Sequence, residues 1–156
     1  MKIKNNEKGY LEKQYNEEEL IEKKYLKVWM LMEVQSTSKQ ATQNALKKHI
    51  DSLKSNFDII AIKENTTEIE EIEAGDDFKA KNINVLYSQI NEMIFFINSY
   101  EKLMELIINY GPTSIEILAP EKICLDMRQA QNALIMVADM MHKFAAQGIG
   151  GLVIKT

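Results

Sequence analysis

Asn98-Ser99-Tyr100-Glu101-Lys102-Leu103-Met104-Glu105-Leu106-Ile107-Ile108-Asn109-Tyr110-Gly111-Pro112-Thr113-Ser114-Ile115-Glu116-Ile117-Leu118 carries both ends of one helix and the strand after it. The Asn98 side chain can accept from the free amides of a first turn, and Glu101 can reach back to the cap amide. Tyr100, Leu103, Met104 and Ile107 recur at helical spacing. Gly111 then supplies a left-handed terminator and Pro112 a residue that cannot continue the helix. Ser114 to Leu118 alternates polar and apolar, the pattern of a strand with one covered face, until Pro120 stops it. Upstream, Met93-Ile94-Phe95-Phe96-Ile97 is an unbroken apolar run rich in β-formers. The order is strand, helix, strand.

The same order recurs earlier. Leu26 to Val34 is a long apolar run with β-branched and aromatic members, and it stops at Gln35-Ser36-Thr37-Ser38. Thr37 and Gln40 form a Thr-x-x-Gln capping box, and Ala41, Ala45, Ile50 and Leu53 line one helical face up to about Lys54. Past Ser55-Asn56, Phe57 to Ile62 reads as a strand.

Two strand–helix–strand units in tandem are the recipe for the split βαβ, an α+β ferredoxin-like βαββαβ sandwich with a four-stranded antiparallel sheet and two helices on one face. In that arrangement the first and third strands are central, and these are the two continuous apolar runs; the fourth alternates and the second is short, as edges should be. The expected division is a polar N-terminal arm or short helix over 1–24 and a single α+β domain over 25–156. Within the domain lie a first unit (26–62), an acidic connector (63–84), a second unit (85–118) and a long C-terminal helix (126–147). Asn16 with Glu19 caps a short helix over Glu17 to Lys24. The connector reads as an exposed loop around Gly75, with Ile69 and Ile72 as candidates for extending the second strand. A continuous helix over 83–107 also matches a period near 3.6, but Asn98-Ser99 would then sit in mid-helix, where such side chains compete with the backbone.

After Pro120, Asp126 and Gln129 form a capping pair for a helix of about 20 residues, roughly 30 Å long, ended by Gly148. Its apolar face comprises Ala130, Ala133, Leu134, Val137, Met140, Met141 and Phe144. Leu152 to Ile154 are expected to tuck against the body. Because the central strands are apolar on both faces, the second sheet face should also be buried, by the C-terminal helix or by a second copy.

Composition bounds the function. The net charge of -4 argues against a general phosphate-backbone binder, and no Lys/Arg-Gly-Phe-type signature accompanies an exposed aromatic sheet, so no nucleic acid is expected. A single cysteine, Cys124, excludes an intrachain disulfide and fits a reducing compartment. The first residues lack a signal pattern and no run approaches a membrane span, so the expected setting is cytoplasmic with no membrane partner.

Cys124, His142 and Asp139 are the residue types of a nucleophile–base–orienter set, and Asp139 and His142 lie three apart on one helix, but nothing brings Cys124 near them. A buried structural thiol and a solvent-facing histidine account for them better. Glu68 to Asp77 lacks the ligand spacing of a calcium loop and reads as a solvated segment. Gly148-Ile149-Gly150-Gly151 follows a helix, so its amides face the wrong way for a phosphate cradle. No catalytic residue, metal ligand or cofactor is therefore assigned. The leading expectation is a non-catalytic binding or interaction module, self-associating as a homodimer or higher homo-oligomer, with a protein partner as a further possibility. Met140, Met141 and Phe144 are its candidate interface. The rival is a small-molecule-sensing regulatory domain with a ligand site at a dimer seam, for which Ser36, Thr37 and Ser38 offer hydroxyls and amides to an anion. A small enzyme is the third reading.

Overall fold

The computed structural model describes residues 15–148, together with the backbone of 4–5 and 11–12. The element order is β1 (Lys4–Asn5), β2 (Leu11–Glu12), α1 (Glu17–Glu22), β3 (Leu26–Ser36), α2 (Lys39–Asn56), β4 (Ile59–Thr66), β5 (Glu70–Glu73), α3 (Asp76–Lys79), β6 (Val85–Ile97), α4 (Tyr100–Tyr110), β7 (Ser114–Ala119) and α5 (Met127–Ala146). The fold is mixed α+β, with an open antiparallel sheet of five strands in the order β4-β6-β3-β7 and β5 also paired to β6. Both expected strand–helix–strand units are present, as β3-α2-β4 and β6-α4-β7. The arrangement is compatible with a ferredoxin-like sandwich.

Period-two alternation builds the core. Leu26, Val28, Met30 and Met32 of β3 face the same way as Met93, Phe95 and Ile97 of β6, and all are buried. The register sets Met30 opposite Met93 at the middle of the pair. Leu46, Ile50 and Leu53 of α2, Phe57 just beyond it, and Leu103 and Leu106 of α4 complete this cluster, so both helices cover one face. Burial of each such side chain stabilises by about 1.5–3 kcal/mol. Tyr110, at the end of α4, ties the helices together: its carbonyl meets His49 Nε2 at 2.8 Å, and its hydroxyl meets Ser52 Oγ at 3.0 Å and Asn56 Nδ2 at 2.7 Å. His49 is thus a boundary residue of α2.

Several details differ from the sequence reading. The connector contains β5, with Ile72 opposite Leu86, and the short helix α3 after Gly75, so the sheet has five strands, not four. The third strand is longer than its apolar core: the mostly polar segment Tyr87 to Asn91 continues β6 because both neighbours supply a ladder of backbone bonds. The caps of α2 and α4 are Ser38 and Ser99, each one residue beyond Thr37 and Asn98. Ser38 Oγ accepts from Ala41 N and Ser99 Oγ from Lys102 N, both at 3.1 Å. The buried face of α2 accordingly shifts to Thr42, Leu46, Ile50 and Leu53, leaving Ala41 and Ala45 exposed. Asn16 caps α1, Asp126 and Gln129 form the reciprocal box on α5, and Gly111 is left-handed at φ 53°, as the sequence predicts.

The second sheet face is covered differently from expectation. The short helix α1 lies against β3, with Leu20 buried and Glu17 paired to Lys27 at 2.8 Å. Phe96, opposite Lys27 in register, is fully buried beneath this end. Beyond it, Trp29, Leu31 and Ile94 are only half-buried, and Trp29 Nε1 donates to Glu92 at 2.7 Å. The C-terminal helix does not take this face. It packs beside α4, where Asn132 Nδ2 donates to Glu101. Leu152 to Ile154 lie outside the described residues.

Candidate functional site

Two places carry unused binding capacity. The first is α5. Its capping box and a stretch uninterrupted by Gly or Pro give 20 helical residues, yet none is buried. Asn132, Ala133, Met136 and Met140 are half-buried toward the α4 side. Met127 is 83% exposed and Leu134 71%, while Val137, Met141 and Phe144 stand at 40%, 40% and 43%. Of the expected interface residues, Met141 and Phe144 therefore lie on the open side and Met140 on the inner one. Leu134, expected within a covered face, is among the most exposed apolar residues described. Leu134 fits a seven-residue spacing with Met127 and Met141 that was already present in the letters.

The second is a cleft of about 240 Å³ between α2 and the β4–β6 edge, lined by Leu46, Lys47, Ile50, Glu64, Gln89 and Asn91 among others. Asn91 continues the core-facing row of Met93, Phe95 and Ile97, and is only 1% exposed. Its Nδ2 donates to Glu64 Oε1 and to Thr66 Oγ1, both at 2.9 Å. Its Oδ1 accepts from no protein group, and is the one such buried side-chain atom among the described residues. Glu64 also takes an ion pair from Lys54 on α2, and Gln89 Nε2 donates to Thr67 O at 2.9 Å. Neither Asn91 nor Glu64 stood out in the sequence, because the cleft depends on how β4 registers against β6.

The turn Ser36–Ser38 is spent on local structure. Ser36 Oγ donates to Ser38 O and lies 2.7 Å from Thr42 Oγ1, while Ser38 Oγ caps α2. Thr37 is exposed. Cys124 is exposed on the loop before α5, which corrects the buried-thiol reading, and Asp139 and His142 are exposed on α5. On the open sheet face, Ser88 Oγ donates to Glu33 at 2.6 Å and Gln35 Nε2 at 2.9 Å, and these donors hold the Glu33 carboxyl below its ordinary pKa. Lys79 does the same for Glu73 in the acidic segment. Among the described residues no helix is long and apolar enough to cross a membrane.

Residues 27–155 match the model of the MJ0538 family. The chain belongs to the MJ0538 family. The matched span takes in the whole five-stranded sheet but for Leu26, and both candidate sites, while α1 precedes it. No curated protein and no solved structure matches the chain.

Proposed function

We propose that the chain is a non-catalytic binding module of ferredoxin-like architecture that pairs with a second copy of itself through α5. The strand order β4-β6-β3-β7, antiparallel throughout, with α2 and α4 on one face, supports the architecture. On that reading β5 is an addition alongside β6, and α1 and α5 are flanking additions.

The exposed stripe of α5 is the observation that carries the pairing. Met127, Leu134 and Met141 form one exposed row at seven-residue spacing, and half-buried Ala130 with exposed Val137 and Phe144 a second, the a and d positions of successive heptads. The flanking positions Gln131, Ala138 and Ala145 carry no charge, so a second copy meets no like-charge repulsion there. Laid antiparallel, the stripe complements itself: Met127 meets Phe144, Ala130 meets Met141 and Leu134 meets Val137. Small residues then face large ones, and the two helix dipoles oppose. A parallel pair would set Phe144 on Phe144 and leave a gap between two Ala130 side chains. The footprint of a helix about 30 Å long and 10 Å wide is roughly 300 Å² in projection. Stable pairs typically bury about 800 Å² per partner, so this dimer is concentration-dependent, not obligate.

Sedimentation velocity from about 10 μM to 1 mM tests the reading. The expected result is a reversible rise from monomer to dimer across that range. A chain that stays monomeric at the upper end overturns it.

A further inference from the structure

We propose that Met127 and Met141 are oxidation sites through which a hydroperoxide dissolves the α5 pair. The inference rests on the pairing proposed above and adds its control.

The chain carries nine methionines, and burial sorts them. Met30, Met32 and Met93 lie in the core, none more than 2% exposed. Met104, Met136 and Met140 are half-buried. Among the described residues only Met127, at 83%, and Met141, at 40%, are exposed, and both stand in the same row of the α5 stripe. Oxidation of a thioether requires the reagent to reach the sulfur, so a peroxide meets the seam before the core.

The step is a two-electron oxygen transfer. A lone pair of the Met sulfur attacks one oxygen of hydrogen peroxide, the S–O bond forms as the O–O bond breaks, and the other oxygen leaves as water with both protons. Sulfur is oxidised to the sulfoxide and the peroxide is reduced. The product replaces a polarizable apolar thioether with a strong hydrogen-bond acceptor. In the antiparallel seam Met127 lies against Phe144 of the second copy, where a thioether is a favourable neighbour of the ring. None of the six row side chains, Met127, Ala130, Leu134, Val137, Met141 and Phe144, carries a donor. A sulfoxide oxygen covered there has no partner, whereas in the separate chain water supplies one. Oxidation therefore favours the separate chain. By the same linkage, pairing covers both sulfurs and slows their oxidation. Neither sulfur supports the core of one chain, so the fold itself is spared.

The test treats the full chain with hydrogen peroxide, maps the added oxygen by peptide mass spectrometry, and follows association by sedimentation velocity. Met127 and then Met141 should be oxidised ahead of the core methionines, and more slowly at about 1 mM protein than at about 10 μM. The Kd of the pair should rise by about tenfold or more, with the urea midpoint at low concentration unchanged. Met127→Leu combined with Met141→Leu keeps the apolar volume, and should pair like the wild type and hold its Kd under peroxide. If the untreated chain stays monomeric, the pairing falls and this control with it. If the untreated chain pairs and its Kd survives oxidation of both sulfurs, the control alone falls. Oxidation of the core methionines first, or equal weakening by peroxide in the doubly substituted chain, also overturns it.

Discussion

Leu134→Glu separates association from folding. Leu134 is 71% exposed, so its replacement changes few contacts within one chain, and monomer stability should stay within about 0.5 kcal/mol of the wild type. In an antiparallel pair the same side chain is covered twice, once from each copy. Full burial of a leucine stabilises by about 1.5–3 kcal/mol, and the exposed share of Leu134 scales this to about 1–2 kcal/mol per copy. Two copies lose about 2–4 kcal/mol, a weakening of roughly 30- to 700-fold in Kd before any cost of placing a carboxylate in the seam. Sedimentation velocity and a denaturant titration at low concentration read the two quantities apart. Ile135→Glu is the matched control, because Ile135 is 48% exposed but belongs to neither heptad row. The reasoning fails if Leu134→Glu dimerises like the wild type, or if Ile135→Glu weakens the dimer as much.

Further predictions concern the scaffold. Gly111→Val should destabilise by about 1 kcal/mol or more: a Cβ there meets nothing within 4 Å, so the cost is the left-handed backbone at φ 53°, and an unchanged urea midpoint would refute it. Ser38→Ala should cost about 1 kcal/mol by freeing the Ala41 amide, whereas Thr37→Ala should be close to neutral; the reverse order in thermal melts would restore Thr37 as the cap. Glu33 has a lowered folded pKa, through the Ser88 hydroxyl first and the Gln35 amide second. Its contribution is thus complete above the unfolded value near 4.3 and disappears as pH falls through the folded one. Glu33→Gln should flatten the loss of stability below about pH 4, and identical acid limbs in urea titrations would count against this linkage.

What could be read from the letters was what local physics decides. The two strand–helix–strand units, the Asn16, Asp126 and Gly111 helix ends, and the apolar rows of β3 and β6 each depend on a few neighbouring residues. The misplaced caps show the limit of that approach. Thr37 and Ser38 are both good N-caps, as are Asn98 and Ser99, and the choice between them falls to the helix whose buried face fits the sheet. Choosing Ser38 puts Thr42 and Leu46 inward, where Thr42 Oγ1 reaches Tyr87 O at 3.1 Å. Choosing Thr37 would have turned alanines inward and left that carbonyl without its hydroxyl. Tertiary packing therefore moved each helix start by one residue, a shift invisible to any local pattern.

The two candidate sites were hidden for different reasons. The stripe on α5 was fully visible as periodicity, but amphipathic spacing alone does not say whether the partner is the chain's own sheet or another molecule. Only the position of α5 beside α4, with α1 taking part of the sheet's second face, leaves Leu134 in solvent. The cleft at Asn91 had no signature at all. It forms because β4 bulges between Ala61 and Lys63 and then pairs Thr66 with Asn91, which carries Glu64 within reach of the same amide. Without that bulge the period-two alternation would turn both Glu64 and Thr66 to the opposite face, and Asn91 would lose both of its acceptors. An edge-strand irregularity that ordinarily serves to deter sheet-to-sheet pairing here also assembles the polar end of the core.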